Sequence, residues 1–276
     1  EMTALELSRR IQSGELSTRD ALDALYAKVD ACDATYRCYT TVAREEAYRE
    51  ADEVQRRLRA GELNDAPLAG VPVSVKDNIC TKGILTSCSS KILSNFKPAY
   101  DATVVERMRK AGMVVAGKLN MDEFAMGSTT ETSFYGPTRN PWNIGRVPGG
   151  SSGGAAASVA AREAVVALGS DTGGSIRQPC SFCGVPGLKP TYGAVSRFGL
   201  VAYASSLDQI GPVGRDVADC AALFEIISGK DPRDGTSMEF SAFDRKAVMA
   251  DGLSGKRIGI PSDYFGEGIE PDVKAR

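Results

Sequence analysis

The chain has 276 residues, 42% of them apolar, and 33 basic against 35 acidic side chains give a formal net charge of −2. That is enough material for a substantial core, without the basic footprint of a direct nucleic-acid binder. It contains no histidine, which excludes Ser-His-Asp catalysis, Cys-His catalysis and histidine metal sites within the chain.

No apolar run reaches the ~18 residues of a membrane span, and the N-terminal EMTALELSRR reads as an amphipathic helix start and not a signal peptide. Seven cysteines at irregular spacing fit reduced thiols and a cytoplasmic setting. Cys180-Ser-Phe-Cys183 is a C-x-x-C without a second pair to complete it, so no metal is expected.

Residues 3 to 59 read as helices. Thr3 with Glu6 has capping-box spacing, and Ser17-Thr18 with Asp20 starts a second helix carrying Ala21, Leu22, Leu25 and Val29 on one face. A third helix is expected over 42–60, stopped by Gly61. Leu68 to Asn78 reads as a strand in which Val71, Val73 and Val75 alternate, beginning at Pro72 or lying at an edge. Lys76 falls near its end. It is either an exposed structural lysine or one pushed into an apolar setting, where a lowered pKa makes it a base.

Asp101-Ala102-Thr103 is expected to cap a helix to Ala111, followed by a strand over 113–116. Residues 117–143 read as a long irregular stretch whose Met126, Gly127 and Ser128 are candidates to line a pocket. A helix follows over 155–162, a buried strand over 164–169 and a short helical turn over 176–179. The next stretch, 183–206, is Gly-rich and extended, and 208–215 reads as a turn. Asp216 caps a helix over 217–228, a polar connection covers 230–243, and a last strand is expected over 256–261 before a helix entry at 272–276. The alternation of strand and helix points to an α/β sheet. There is no P-loop.

Two glycine-flanked serine sites stand out: Gly149-Gly150-Ser151-Ser152-Gly153-Gly154, leading into the alanine-rich helix, and Asp171-Thr172-Gly173-Gly174-Ser175, directly after a strand. Each also reads as an ordinary Gly/Ser connection. Taken with Lys76, they permit nucleophilic chemistry without histidine. Ser175 attacks a carbonyl, Ser151 relays its proton to neutral Lys76, and the N–H groups of Thr172, Gly173, Gly174 and Ser175 face the oxyanion.

These residues carry a family resemblance. Lys76 in VPVSVKDN, Ser151 in PGGSSGG and Ser175 in GSDTGGSIRQP match, in order and spacing, the Ser-cisSer-Lys motif of the amidase signature family. The resemblance implies that Ser151 is the bridging serine behind a cis peptide bond and that Ser152 is not. It also implies a single α/β domain over 1–276, with a helical region to about residue 62 and a catalytic core from about residue 66. That domain is a mixed sheet covered by helices on both faces.

Within the family, NMDEFAMGSTTETSFYGPTRNPWN and GLKPTYGAVSRFGLVAYASSLDQIGPVGR resemble the glutamine-hydrolysing A subunits of glutamyl-tRNA(Gln) amidotransferases. That branch implies B and C subunits as partners, and Glu-tRNA(Gln) held mainly by B. ATP and Mg are expected in the partner, with no cofactor in this chain. Members of the family are usually longer, so a C-terminal portion holding the groups that bind the α-amino and α-carboxylate of glutamine is expected to be missing. A stand-alone amidase and a catalytically incomplete fragment are the alternative readings.

Overall fold

The computed structural model describes residues 2–239 and 245–276, and the chain forms two compact units, Glu1–Phe243 and Asp244–Arg276. The first is built on five strands: β1 (Tyr39–Val42), β2 (Pro72–Lys76), β3 (Val114–Leu119), β4 (Val166–Asp171) and β5 (Gln209–Val213). Their spatial order is β1-β3-β2-β4-β5. β2 runs parallel to both β3 and β4, while β1 and β5 flank them antiparallel.

Every residue of β2, β3 and β4 is buried, as expected of strands covered on both faces. Val73, Val75, Val115, Val166 and Leu168 pack on one side with α1 (Ala4–Gln12), α4 (Thr103–Lys110) and α7 (Val217–Ile227). Val114, Ala116, Leu119 and Ala167 pack on the other, with α2 (Thr18–Tyr36), α3 (Arg44–Arg59), α5 (Gly153–Ala160) and α6 (Arg177–Cys183). The mixed sheet with helices on both faces is the expected fold class.

The helix starts follow their side chains. Thr3 accepts from the Glu6 amide at 3.2 Å, and Ser17 and Asp20 form a reciprocal capping box. Asp219 on α7 also reaches across to accept the Ala4 and Leu5 amides at 2.9 and 3.1 Å, so the last of these helices caps the first. At α4 the expected cap is absent. Asp101 instead accepts the Lys82 amide at 2.7 Å and pairs with Arg109.

Three further expectations are corrected. The third helix begins at Arg44, because 39–42 form β1, a strand too short to show a period against its helical flanks. β3 continues past residue 116 to Leu119, carrying Lys118 into the core. The turn expected over 208–215 is β5, which pairs with β4 from Ala167↔Val213 to Asp171↔Gln209. Its Gly-Pro pair mimicked a turn, but Pro212 needs no N–H here because the segment uses its carbonyl, which accepts the Leu188 amide at 2.9 Å. Of the two places open to Pro72, the structure takes the first: it begins a strand, the central β2.

The second unit holds α8 (Arg245–Asp251), a 3-10 turn at Ser262–Phe265 and α9 (Pro271–Ala275). The strand expected over 256–261 does not form. Ile258 and Ile260 are 73% and 75% exposed, and no ladder partner lies beside them among the described residues. The connection expected over 230–243 is described to residue 239, and the rest lies outside the described residues. Among the described residues no helix is long and apolar enough to cross a membrane.

Candidate active site

The site lies where β2 and β4, parallel neighbours, end side by side, the position at which open α/β sheets gather ligand groups. Lys76 is the last residue of β2 and is fully buried. Its Nζ lies 2.7 Å from Ser151 Oγ, 2.9 Å from Ser170 Oγ and 3.3 Å from the Ser170 carbonyl. Asn78 Nδ2 donates to the same Ser170 hydroxyl at 3.0 Å. Burial pushes the lysine down to about 7, against the pull of the more distant Asp122 and Asp171 carboxylates. Near neutral pH much of Lys76 is therefore an amine with a lone pair to offer.

Ser151 follows a cis Gly150–Ser151 peptide bond. The Ser152 hydroxyl turns inward to the Ser170 carbonyl at 3.0 Å, while the Ser152 amide donates to the Ser175 carbonyl at 3.1 Å. The first bond keeps Ser152 off the relay, and the second ties the two serine turns together.

Ser175 is 9% exposed and opens onto a cleft of about 370 Å³ that Gly127, Ser128, Thr172, Gly173, Gly174 and Tyr203 also line. Gly127 and Ser128 thus stand beside Ser175, but the Met126 side chain is 56% exposed and is not among the lining groups. Lys76 and Ser151 are joined directly. The Ser175 hydroxyl makes no hydrogen bond among the described residues, so in this state the relay is closed on the lysine side and open on the cleft side. Catalytic hydrogen bonds of ligand-free sites commonly tighten only when substrate is bound.

Asp171 organises the second turn. Its carboxylate is buried and accepts the amides of Gly174, Ile176 and Arg177 at 2.9, 3.0 and 3.2 Å, as well as the Arg177 guanidinium at 2.9 and 3.1 Å. These donors outweigh burial and hold it down to about 2. The Gly174 N–H, named above as an oxyanion donor, is thus engaged by Asp171. The N–H groups of Thr172, Gly173 and Ser175 have no partner among the described residues and are the open donors of the turn. Gly174 itself sits at φ +122°, which a side chain would strain.

Sequence reasoning missed Ser170, Asp122 and Gln178. Asp122 is buried and accepts from the Thr129 amide and the Thr132 hydroxyl at 3.3 and 3.1 Å, while its own amide donates to the Ser151 carbonyl at 3.3 Å. A Cβ at Gly150 or Gly127 would come within 2.1 or 2.4 Å of this carboxyl group, so both glycines are required by its close approach. Gln178 bridges the Gly150 amide and the Ser128 carbonyl at 2.9 and 3.0 Å, clamping the 117–143 stretch over the first serine turn. None of the three sits in a periodic pattern. The available signal for Ser170 and Gln178 was their place beside the glycines of 169–174; Asp122 had none.

The Amidase family model matches residues 20–276. The A subunit of the glutamyl-tRNA(Gln) amidotransferase of Lachnoclostridium phytofermentans is 56% identical over 99% of this chain and 55% of its own length, and that of Moorella thermoacetica is 56% identical over 99% and 56%. Among solved structures, the A subunit of the glutamyl-tRNA(Gln) amidotransferase of Thermotoga maritima is 45% identical with a TM-score of 0.73, over 87% of this chain and 50% of that one. The peptide amidase of Stenotrophomonas maltophilia is 37% identical with a TM-score of 0.85, over 93% and 54%. The chain spans about half the length of the curated relatives it matches.

Proposed function

The chain belongs to the amidase family, and from that premise we propose that it hydrolyses glutamine as the A subunit of a glutamyl-tRNA(Gln) amidotransferase. The observation that carries the reading is the buried 2.7 Å contact between Lys76 Nζ and Ser151 Oγ, in a turn whose next residue, Ser152, is bonded to the carbonyl of the cleft serine. The 52–56% identity to A subunits over 99% of the chain supports the choice of substrate.

Ser175 Oγ attacks the side-chain carbonyl of glutamine while its proton passes to Ser151, whose own proton passes to the Lys76 amine. The oxyanion meets the Thr172, Gly173 and Ser175 amides. Lys76 then returns the proton through Ser151 to the leaving nitrogen, ammonia departs, and water enters by the same relay to release glutamate from Ser175. The ammonia serves amidation of Glu-tRNA(Gln) in a B subunit supported by a C subunit, where ATP and Mg²⁺ act. The setting is cytoplasmic.

The likeness to a peptide amidase supports a second reading, hydrolysis of another amide without partners. Ammonia release from glutamine, measured with B and C subunits co-expressed, separates the two. Release that vanishes in Ser175→Ala supports the glutaminase. Absence of release, with turnover of other primary amides, overturns it in favour of the second reading.

A further inference from the structure

Outside the cleft and its relay, a second constellation of reactive side chains has no role in hydrolysis. Asp33 in α2, Cys38 just before β1 and Glu163 between α5 and β4 place their ligating atoms within 4.8 Å of one another. Cys38 and Glu163 are wholly buried and Asp33 is half-buried at the rim. Both carboxyl oxygens of Glu163 lack any hydrogen-bond partner among the described residues. Ionising a buried carboxyl group that lacks well-placed donors is costly, and the thiol and the second carboxyl group that it faces bring no positive charge to it.

The surroundings fix the trio. Asp33 Oδ1 accepts the amides of Cys38 and Tyr39 at 2.5 and 3.3 Å, orienting the carboxylate from behind. The Tyr39 hydroxyl donates to the Glu163 carbonyl at 2.8 Å, pinning the turn that carries the glutamate to the strand that follows the cysteine. Among the described residues this is the one group of three metal-ligating side chains so disposed; the Cys180 and Cys183 pair belongs to no such group.

We propose that Asp33, Cys38 and Glu163 form a structural site for a thiophilic divalent cation, Zn²⁺ by preference, tying α2 and β1 to the turn between α5 and β4. A thiolate with two carboxylates suits Zn²⁺ better than Mg²⁺ or Ca²⁺, which take oxygen ligands alone. Zn–S of ~2.3 Å and Zn–O of ~2.0–2.2 Å draw the trio inward by roughly an ångström, within reach of side-chain rotation. The half-exposed side at Asp33 leaves the fourth position to water. Zn²⁺ takes the cysteine as its thiolate, so binding releases the thiol proton and weakens in acid.

The test is metal titration of the chelator-stripped 276-residue chain with Zn²⁺ and, separately, Co²⁺. One equivalent is expected, with a cobalt–thiolate absorption that disappears in Cys38→Ala. Glu163→Gln, which keeps all seven cysteines, weakens Zn²⁺ binding more than about tenfold, and Cys180→Ala changes neither readout. Unaltered affinity in Glu163→Gln, loss of binding in Cys180→Ala, or no retained equivalent in the parent chain overturns the site and leaves Asp33 and Glu163 as a carboxyl pair sharing a proton. Metal-free melting curves verify folding, and Asp33→Asn at the rim replaces any variant that does not fold. None of these readouts depends on the hydrolase reading.

Discussion

Two lysines lie fully buried on neighbouring strands of one sheet, and they are held in opposite ways. Lys118 of β3 donates to the Ile79 carbonyl and the Thr86 hydroxyl at 2.7 Å each and stands 3.7 Å from Asp77 Oδ1. Asp77 in turn gathers the Ser87 amide and hydroxyl and the Ser89 amide at 3.1, 2.5 and 3.2 Å. Burial lowers Lys118, but the carboxylate opposes it, and the pair fixes the 77–90 segment. Lys76 has no carboxylate at contact distance among the described residues, only two hydroxyls and a carbonyl. Burial lowers both lysines, and Lys118 has a carboxylate beside it to oppose the fall. The lysine whose close partners are hydroxyls gives up its proton and has a serine to take one from.

Breaking each side of this contrast gives different readouts. Ser175→Ala removes the proposed nucleophile and is expected to lower amide hydrolysis on the order of a thousandfold or more; loss of the folded state in the same variant would point to misfolding. Lys76→Ala is expected to match it, since the chain has no histidine to take over as base. Near-normal turnover in Lys76→Ala would remove the lysine from the mechanism. In the unaltered chain, hydrolysis should climb as pH rises through about 7, where Lys76 loses its proton.

Lys118→Met should act on stability, costing about 3–5 kcal/mol because Asp77 is left buried and unpaired. Denaturant unfolding reads this directly, and an unchanged midpoint would show that the pair contributes nothing. The smallest effect is expected at Asp219→Ala, where α1 loses the acceptor for two amides, roughly 1–2 kcal/mol by the same measurement.

Asp171 sharpens the contrast from the acid side. Its folded-state value of about 2 lies below the ordinary 3.8, so its stabilising contribution is complete above about pH 4 and is lost as pH falls toward 2. Arg177→Ala should move that loss to higher pH in an acid-unfolding series.

The residues of the candidate site were more legible in the sequence than the sheet. Ser151 and Ser175 sit in short glycine-flanked runs and Lys76 at the end of an apolar strand, and the absence of histidine narrowed what those serines do. The edge strands β1 and β5 were not legible. One has four residues between helices, and the other contains Gly211-Pro212, so tertiary pairing decided both. Lys118 was hidden for a related reason, since a lysine after a glycine reads as loop until a carboxylate and a carbonyl are brought to it. Asp122 and Gln178 act by holding separate loops together, a relation no local period records.

The measurement closest to the central claim is the acylation rate of Ser175 by an activated carbonyl reagent, followed by intact mass across pH 5 to 9 in the 276-residue chain. A rate that rises to a plateau with an apparent pKa near 7 is expected, absent in Ser175→Ala and lost with its pH dependence in Lys76→Ala. An unchanged rate and profile in Lys76→Ala would contradict it, leaving Lys76 a buried structural amine like its neighbour.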